Sequence, residues 1–296
     1  MKKGDIKRIL VPVDFSETSE ISLVEAMTLA KRLSAEVFIL HVIESSGYYY
    51  SIFPEKSVAL PSFNEVKKAV NQKMEILQGK LAKKYGVTIH PFIVNGHIDT
   101  EIIALAKKKK IDMIFMGTHG ASGYKEVFIG SNAQHVVTLS NVPVITIQQK
   151  KDKAGFKNIL IPIDDSLHSR EKVNIAMLIA ETFKSYIHLI GLPETKDEEE
   201  VNKINIKLAS VEKIINDSKL GYKTTVVHGK NLAKAAIKYA KENNCDLIVI
   251  NTGHESQTGI FLGALAQQIV NHSSIPVLSF KHSEDHYSAD TPAFGI

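Results

Sequence analysis

The 296-residue chain is written twice. RILVPVDFSETSE (8–20) is matched by NILIPIDDSLHSR (158–170), and IDMIFMGTHG (111–120) by CDLIVINTGH (245–254). EVFIGSNAQHVV (126–137) is matched by GIFLGALAQQIV (259–270), and NVPVITI (141–147) by SIPVLSF (274–280). Four motifs recur in one order, so the repeating unit is a whole domain and not the short module of a solenoid. The copies differ in length mainly between the first and third strands, where the first half carries ESSGYYYSIFPEKSVALPSF (44–63). The repeat predicts a first domain over 1–149, a second over 156–282, and an aperiodic, mobile tail over 283–296. The polar stretch QQKKDKAGFK (148–157) reads as the linker.

Within each half, short apolar runs (ILVPV, VFILHVI, HPFIV, MIFM, VPVITI) have the look of parallel strands buried on both faces. Helical segments lie between them, over 19–34, 63–85, 99–110 and 131–139. Ile102, Ile103, Leu105 and Ala106 give the third of these an apolar face. Alternating strands and helices predict an α/β fold: two tandem open-twisted, mostly parallel five-stranded sheets with helices on both faces. KKKK (107–110) falls where a helix C-terminus favours cations, and KDEEE (196–200) where a helix N-terminus favours anions.

Composition narrows the function classes. With 44% hydrophobic and 23% charged residues, either half can bury a core. A net charge of +4, with one dense basic run, argues against a nucleic-acid partner. No stretch approaches the roughly 18 apolar residues of a membrane helix, and no apolar leader precedes Asp14. Cys245 is the single cysteine, so no intrachain disulfide can form. The expectation is a cytoplasmic protein with no membrane partner. Cys245 reads as a packed small hydrophobe. The histidines, His41, His97, His119 and His135 among them, show no metal-ligand spacing, so no metal site is expected on protein ligands alone. No Ser/His/Asp or Cys/His arrangement suggests a catalytic residue.

GTHGASGYKEVFIGS (117–131) is the stretch that carries chemistry. It follows a buried strand and opens a helix. A helix N-terminus exposes unpaired N–H groups and favours an anion, and glycines let the backbone approach a phosphate closely. The loop is neither GxxxxGK[ST] nor GxGxxG, so phosphoryl-transfer machinery is not indicated. From spacing alone it reads either as a phosphate cradle or as a tight turn followed by a serine-capped helix.

Gly117-x2-Gly120-x9-Gly130-Ser131 resembles the nucleotide loop of the ATP-binding branch of the universal stress protein family. VPVDFSETSE and LHVIE resemble that family's first strand and turn and its second strand, and the likeness runs through both halves. The resemblance implies an adenine nucleotide alpha hydrolase-like, Rossmann-like fold. It implies that Pro12 and Asp14 flank adenine and ribose, and that Val42 contacts adenine. It further implies that Met116, Gly117, Thr118, His119 and Gly120 lie under the ribose and phosphates, and that Gly130, Ser131, Asn132 and Ala133 hold the phosphates. Asp14 suits a ribose hydroxyl, an adenine amine or a Mg²⁺-bound water, and equally a turn-capping role. The cofactors implied are ATP and Mg²⁺. The implied function is a nucleotide-dependent stress-response module with an unidentified protein partner, a slow ATPase or a nucleotide-free scaffold being the alternatives.

The second half departs from the pattern. Asn251 stands for Gly117, Ala264 for Ser131, and Gly191 near the place of Val42; matching Gly263 to Gly130 needs a one-residue deletion. Asp164 and Gly263 are kept. One nucleotide per chain is therefore expected, in the first half. Family members commonly pair through the last strand, so VPVITI and SIPVLSF are expected to pair as an internal pseudo-dimer, or the chain to form a homodimer. The aromatic stretch GYYYSIF (47–53) reads as a lid over the nucleotide or as a packing surface.

Overall fold

Strands with no polar face need cover on both sides, and all the apolar runs enter one sheet in the computed structural model. Residues 5–44, 63–118, 129–149, 154–166, 170, 172–252, 254–256, 259–261 and 263–281 are described. The first half runs β1 (Arg8–Pro12), α1 (Glu17–Leu33), β2 (Glu36–Ile43), α2 (Phe63–Tyr85), β3 (Ile89–Asn95), α3 (Ile98–Lys109), β4 (Met113–Gly117), α4 (Ser131–Leu139) and β5 (Val144–Ile147). The second runs β6 (Asn158–Ile163), α5 (Val173–Phe183), β7 (Tyr186–Gly191), α6 (Glu198–Asp217), β8 (Tyr222–Val226), α7 (Leu232–Glu242) and β9 (Leu247–Asn251). A short hairpin, β10 (His254–Ser256) and β11 (Gly259–Phe261), leads to α8 (Ala264–His272) and β12 (Val277–Phe280).

The sheet order is β3-β2-β1-β4-β5-β12-β9-β6-β7-β8. Each half contributes five parallel strands, and β5 meets β12 antiparallel, with Ile145 opposite Leu278 and Thr146 opposite Val277. The expected pairing of the last strands thus joins the two sheets into one of ten strands. Side chains alternate along β1. Ile9, Val11 and Val13 enter a core with α1 and α2 that continues across the seam to α5 and α6, while Leu10 enters a core with α3, α4, α7 and α8. Ser16 caps α1 by accepting from the Ser19 N–H, with Glu17 and Glu20 in its first turn and Lys31 and Arg32 in its last. The KKKK run ends α3 and the acidic run opens α6, as the helix dipole dictates.

The end of the expected linker is core. Phe156 is fully buried, edge-on to Phe183 at 5.6 Å, and the Gly155 N–H donates to the buried Glu25 carboxylate at 2.8 Å. One aromatic ring in a polar stretch has no periodicity to reveal it. The Arg32 guanidinium lies 4.9 Å over the Phe183 ring and adds a second tie between the halves. Among the described residues, no helix is long and apolar enough to cross a membrane. The tail from 283 and the aromatic stretch 47–53 lie outside the described residues.

Candidate functional site

In an open α/β sheet the ligand crevice lies beyond the strand C-termini, where the strand order reverses. Here that point is between β1 and β4. β1 pairs with β2 over five residues, but with β4 only at Ile9–Met113 and Leu10–Ile114. Beyond those two pairs the strands part. β6 and β9 part in the same way after Ile159–Leu247 and Leu160–Ile248.

The parted ends carry the residues singled out from the sequence. Pro12 ends β1, Asp14 follows it, Val42 lies near the end of β2, and Met116 and Gly117 end β4. Met116 and Thr118 are buried, whereas Pro12, Asp14, Val42 and Gly117 are half-buried. Thr118 fixes the base of the loop: its N–H donates to the Ile147 carbonyl at 3.0 Å, and its carbonyl accepts from the Gly130 N–H at 2.8 Å. A Cβ at Gly130 would sit 2.9 Å from that same Thr118 carbonyl oxygen, so the closure requires a glycine. His119 and Gly120 lie outside the described residues.

Gly130 is the N-cap of α4, with φ −62° and ψ 151° and no side-chain cap. Ser131 is already the first helical residue, so the serine-cap reading is corrected: the cap falls on Gly130, because Thr118 holds the chain extended there. Ser131 is exposed, Asn132 half-buried and Ala133 buried. The result is a glycine-capped helix start beside parted strands, which favours an anion.

Asp14 does cap a turn. Its Oδ1 accepts from the Ser16 N–H at 3.0 Å and from the Ser16 hydroxyl at 2.5 Å. Asp164 accepts from Ser166 likewise, at 3.3 and 2.6 Å. The turns differ in the residue between. Phe15 has φ 63°, a left-handed conformation that is strained for an aromatic residue. That turn brings its ring to 5.1 Å from the His41 ring, and His41 Nδ1 lies 2.7 Å from the Val13 carbonyl oxygen. His41 is therefore part of the strand packing. His135 is a surface residue, 2.8 Å from Asp99 Oδ2, and this bond is the main cause holding the Asp99 carboxyl below its usual range. His97 is the N-cap of α3 without a side-chain bond.

Register corrects one correspondence between the halves. Pro12 pairs with Leu40 and Pro162 with Ile190, so Gly191 stands at the place of His41 and Leu192 at that of Val42. A Cβ at Gly191 would lie 2.5 Å from Ile204 Cγ2 and 2.9 Å from Leu208 Cδ1. α6 therefore seats directly on β7, and Leu192 is fully buried. Lys207 seals the turn after β6: its ammonium donates to the Asp164 and Ser166 carbonyls at 3.3 and 3.2 Å and pairs with Asp165 at 2.8 Å. Neither Lys207 nor Phe15 stood out in the sequence. Aligning the buried stripes of α2 and α6 would have found the lysine.

The model of the universal stress protein family matches residues 5–148 and again 155–281. The chain belongs to that family. Both halves are universal stress modules by this match, in tandem. Two universal stress proteins of Methanocaldococcus jannaschii are similar to half of it: MJ0577, 32% identical over 156 residues (49% of this chain, 96% of that protein), and MJ0531, 31% identical over 151 residues (49% and 84%). A crystal structure of a universal stress protein from Archaeoglobus fulgidus DSM 4304 is similar over 96% of this chain and 99% of its own, with TM-score 0.71 and 20% identity, a likeness of fold.

Among the described residues, no group of three or more His, Cys, Asp or Glu side chains could hold a metal ion.

Proposed function

We propose that the first universal stress module binds an adenine nucleotide, ATP with Mg²⁺, and that the chain acts as a nucleotide-dependent stress-response module in the cytoplasm. The second module serves as its structural partner. The observation that carries this reading is the asymmetry at one crevice. Gly130 and Gly263 cap their helices alike beside parted strands, but the first helical residue is Ser131 in the first half and Ala264 in the second, Asn251 stands for Gly117, and the place of half-buried Val42 is taken by fully buried Leu192.

The proposed site comprises Pro12, Asp14, Val42, Met116, Gly117, Thr118, His119, Gly120, Gly130, Ser131, Asn132 and Ala133. The N–H groups at the start of α4 would bind phosphate oxygens, with the Ser131 hydroxyl adding a donor. The Asp14 carboxylate orders the first turn and faces ribose or a Mg²⁺-bound water. Bound Mg²⁺ neutralises phosphate charge. No side chain in this set stands out as a general base, so binding rather than rapid turnover is the reading.

Calorimetric titration of nucleotide-stripped protein with Mg-ATP tests it. One site per chain is expected. Two sites would mean that the second crevice opens after all, and no binding would put a nucleotide-free scaffold in place of this reading. Replacing Gly130 by valine drives a side chain into the Thr118 carbonyl and should weaken Mg-ATP at least tenfold with the circular dichroism spectrum kept.

A further inference from the structure

The second half answers a question that the first leaves open. Aligning the buried residues of α2 (Val70, Met74, Leu81) with those of α6 (Ile204, Leu208, Ile215) sets Lys73 at the place of Lys207. The matching Asx turns likewise set Phe15 at the place of Asp165. In the second half the lysine meets a carboxylate at 2.8 Å. In the first it meets a ring: the Lys73 ammonium lies 5.3 Å from the Phe15 centroid, and no carboxylate among the described residues pairs with it.

The space around it differs too. Where Ile204 and Leu208 crowd onto Gly191, the first half has a crevice of about 390 Å³ under α2. Phe15, His41, Val66, Ala69, Val70 and Lys73 line it. Phe15, Val66, Ala69 and Val70 make its walls mostly apolar, and the polar groups at it are Lys73, Glu65 and the His41 ring, whose Nδ1 is held at the Val13 carbonyl. Glu65, also at the crevice, is solvent-exposed and has an interaction of its own. A volume in the range of small-molecule sites, apolar walls and one cation lacking the carboxylate that its counterpart holds select one chemistry.

We propose that this crevice is a second ligand site, on the opposite face of the sheet from α4, for a small anionic amphiphile. The ligand's carboxylate pairs with Lys73 as Asp165 pairs with Lys207 in the second half, reaching it from the crevice side. Its apolar body lies against Phe15, Val66, Ala69 and Val70. The site is independent of the nucleotide reading, since none of its lining residues belongs to the nucleotide set. It adjoins that set: His41 precedes Val42 and Phe15 follows Asp14.

Octanoate is the probe, titrated calorimetrically into the full-length protein, with octanol as the uncharged control and Mg-ATP titrations run on every variant. Octanoate should bind once per chain, and octanol at least tenfold more weakly. Lys73→Met should weaken octanoate at least tenfold, and Ala69→Trp, which fills the crevice from an exposed helix position, should abolish binding. Both variants should keep the wild-type circular dichroism spectrum and the wild-type response to Mg-ATP, whatever that response is. Absence of saturable octanoate binding, equal affinity for octanol, or affinity unchanged by either substitution overturns the proposal.

Discussion

His188 predicts how this fold loses stability in acid. It sits within β7, 5% exposed, with Nδ1 3.4 Å from the Tyr239 hydroxyl and its ring edge-on to Tyr186 and Tyr239. Burial, and then the nearby Lys223 ammonium, lower its pKa from 6.5 to about 4. The folded protein therefore holds a neutral imidazole over a range in which the unfolded chain holds an imidazolium. Between about pH 6.5 and 4 the unfolded state binds the extra proton, so stability falls as pH falls through that window. At 1.36 kcal/mol per pKa unit, the total loss is about 3 kcal/mol. His188→Phe removes the titration, and the position accepts an aromatic ring in the other half: β2 carries Phe38 there, stacked at 6.0 Å on Phe92. Urea unfolding of both proteins at pH 7, 6, 5 and 4 measures the difference. Carboxylates that titrate in both proteins cancel. The variant should gain about 3 kcal/mol relative to wild type between pH 7 and 4. Parallel stability profiles across that window would refute the account of His188 as a buried neutral ring.

Two further outcomes follow from packing in the second half. Gly191→Val places a Cβ where Ile204 Cγ2 would be 2.5 Å away, so α6 must lift from β7. Overpacking of this kind costs about 1–3 kcal/mol, read as a lower urea midpoint, while Mg-ATP stoichiometry should stay at one. Cys245 is 5% exposed, and burial, then the adjacent Asp246 charge, push its thiol up to about 12. An aromatic disulfide reagent at pH 8 should modify it at least a hundredfold faster in urea-unfolded than in native protein; equal rates would contradict the burial.

The sequence carried the architecture because the architecture is periodic. Ser131–Leu139 and Phe63–Tyr85 form helices over the spans read between the apolar runs, and the five-run pattern of each half became five parallel strands. The joining of β5 and β12 was legible only through the resemblance to a family whose last strands pair. Contacts between residues distant along the chain were not legible. Phe156 is one aromatic ring in a polar stretch, and its burial depends on Phe183. The offset of Gly191 appeared only once Ile190 was seen opposite Pro162. At the candidate site, strand ends and glycines were visible in the sequence. The left-handed Phe15, the Thr118 clasp on Gly130 and the paired lysines of α2 and α6 were not, since each is defined by a partner at least one element away.

The antiparallel seam between β5 and β12 changes what dilution can do. When two identical modules meet along such an edge, their union depends on protein concentration, and any substitution appears on both sides at once. Here the modules are tethered, so the edge contact is intramolecular and its strength is set by effective concentration, not by how much protein is present. The two crevices are also free to differ. Ala264, Gly191 and Asp165 could arise on one side while Ser131, His41 and Phe15 stood on the other. In a covalent pair of this kind the seam is as fully formed at nanomolar as at micromolar protein.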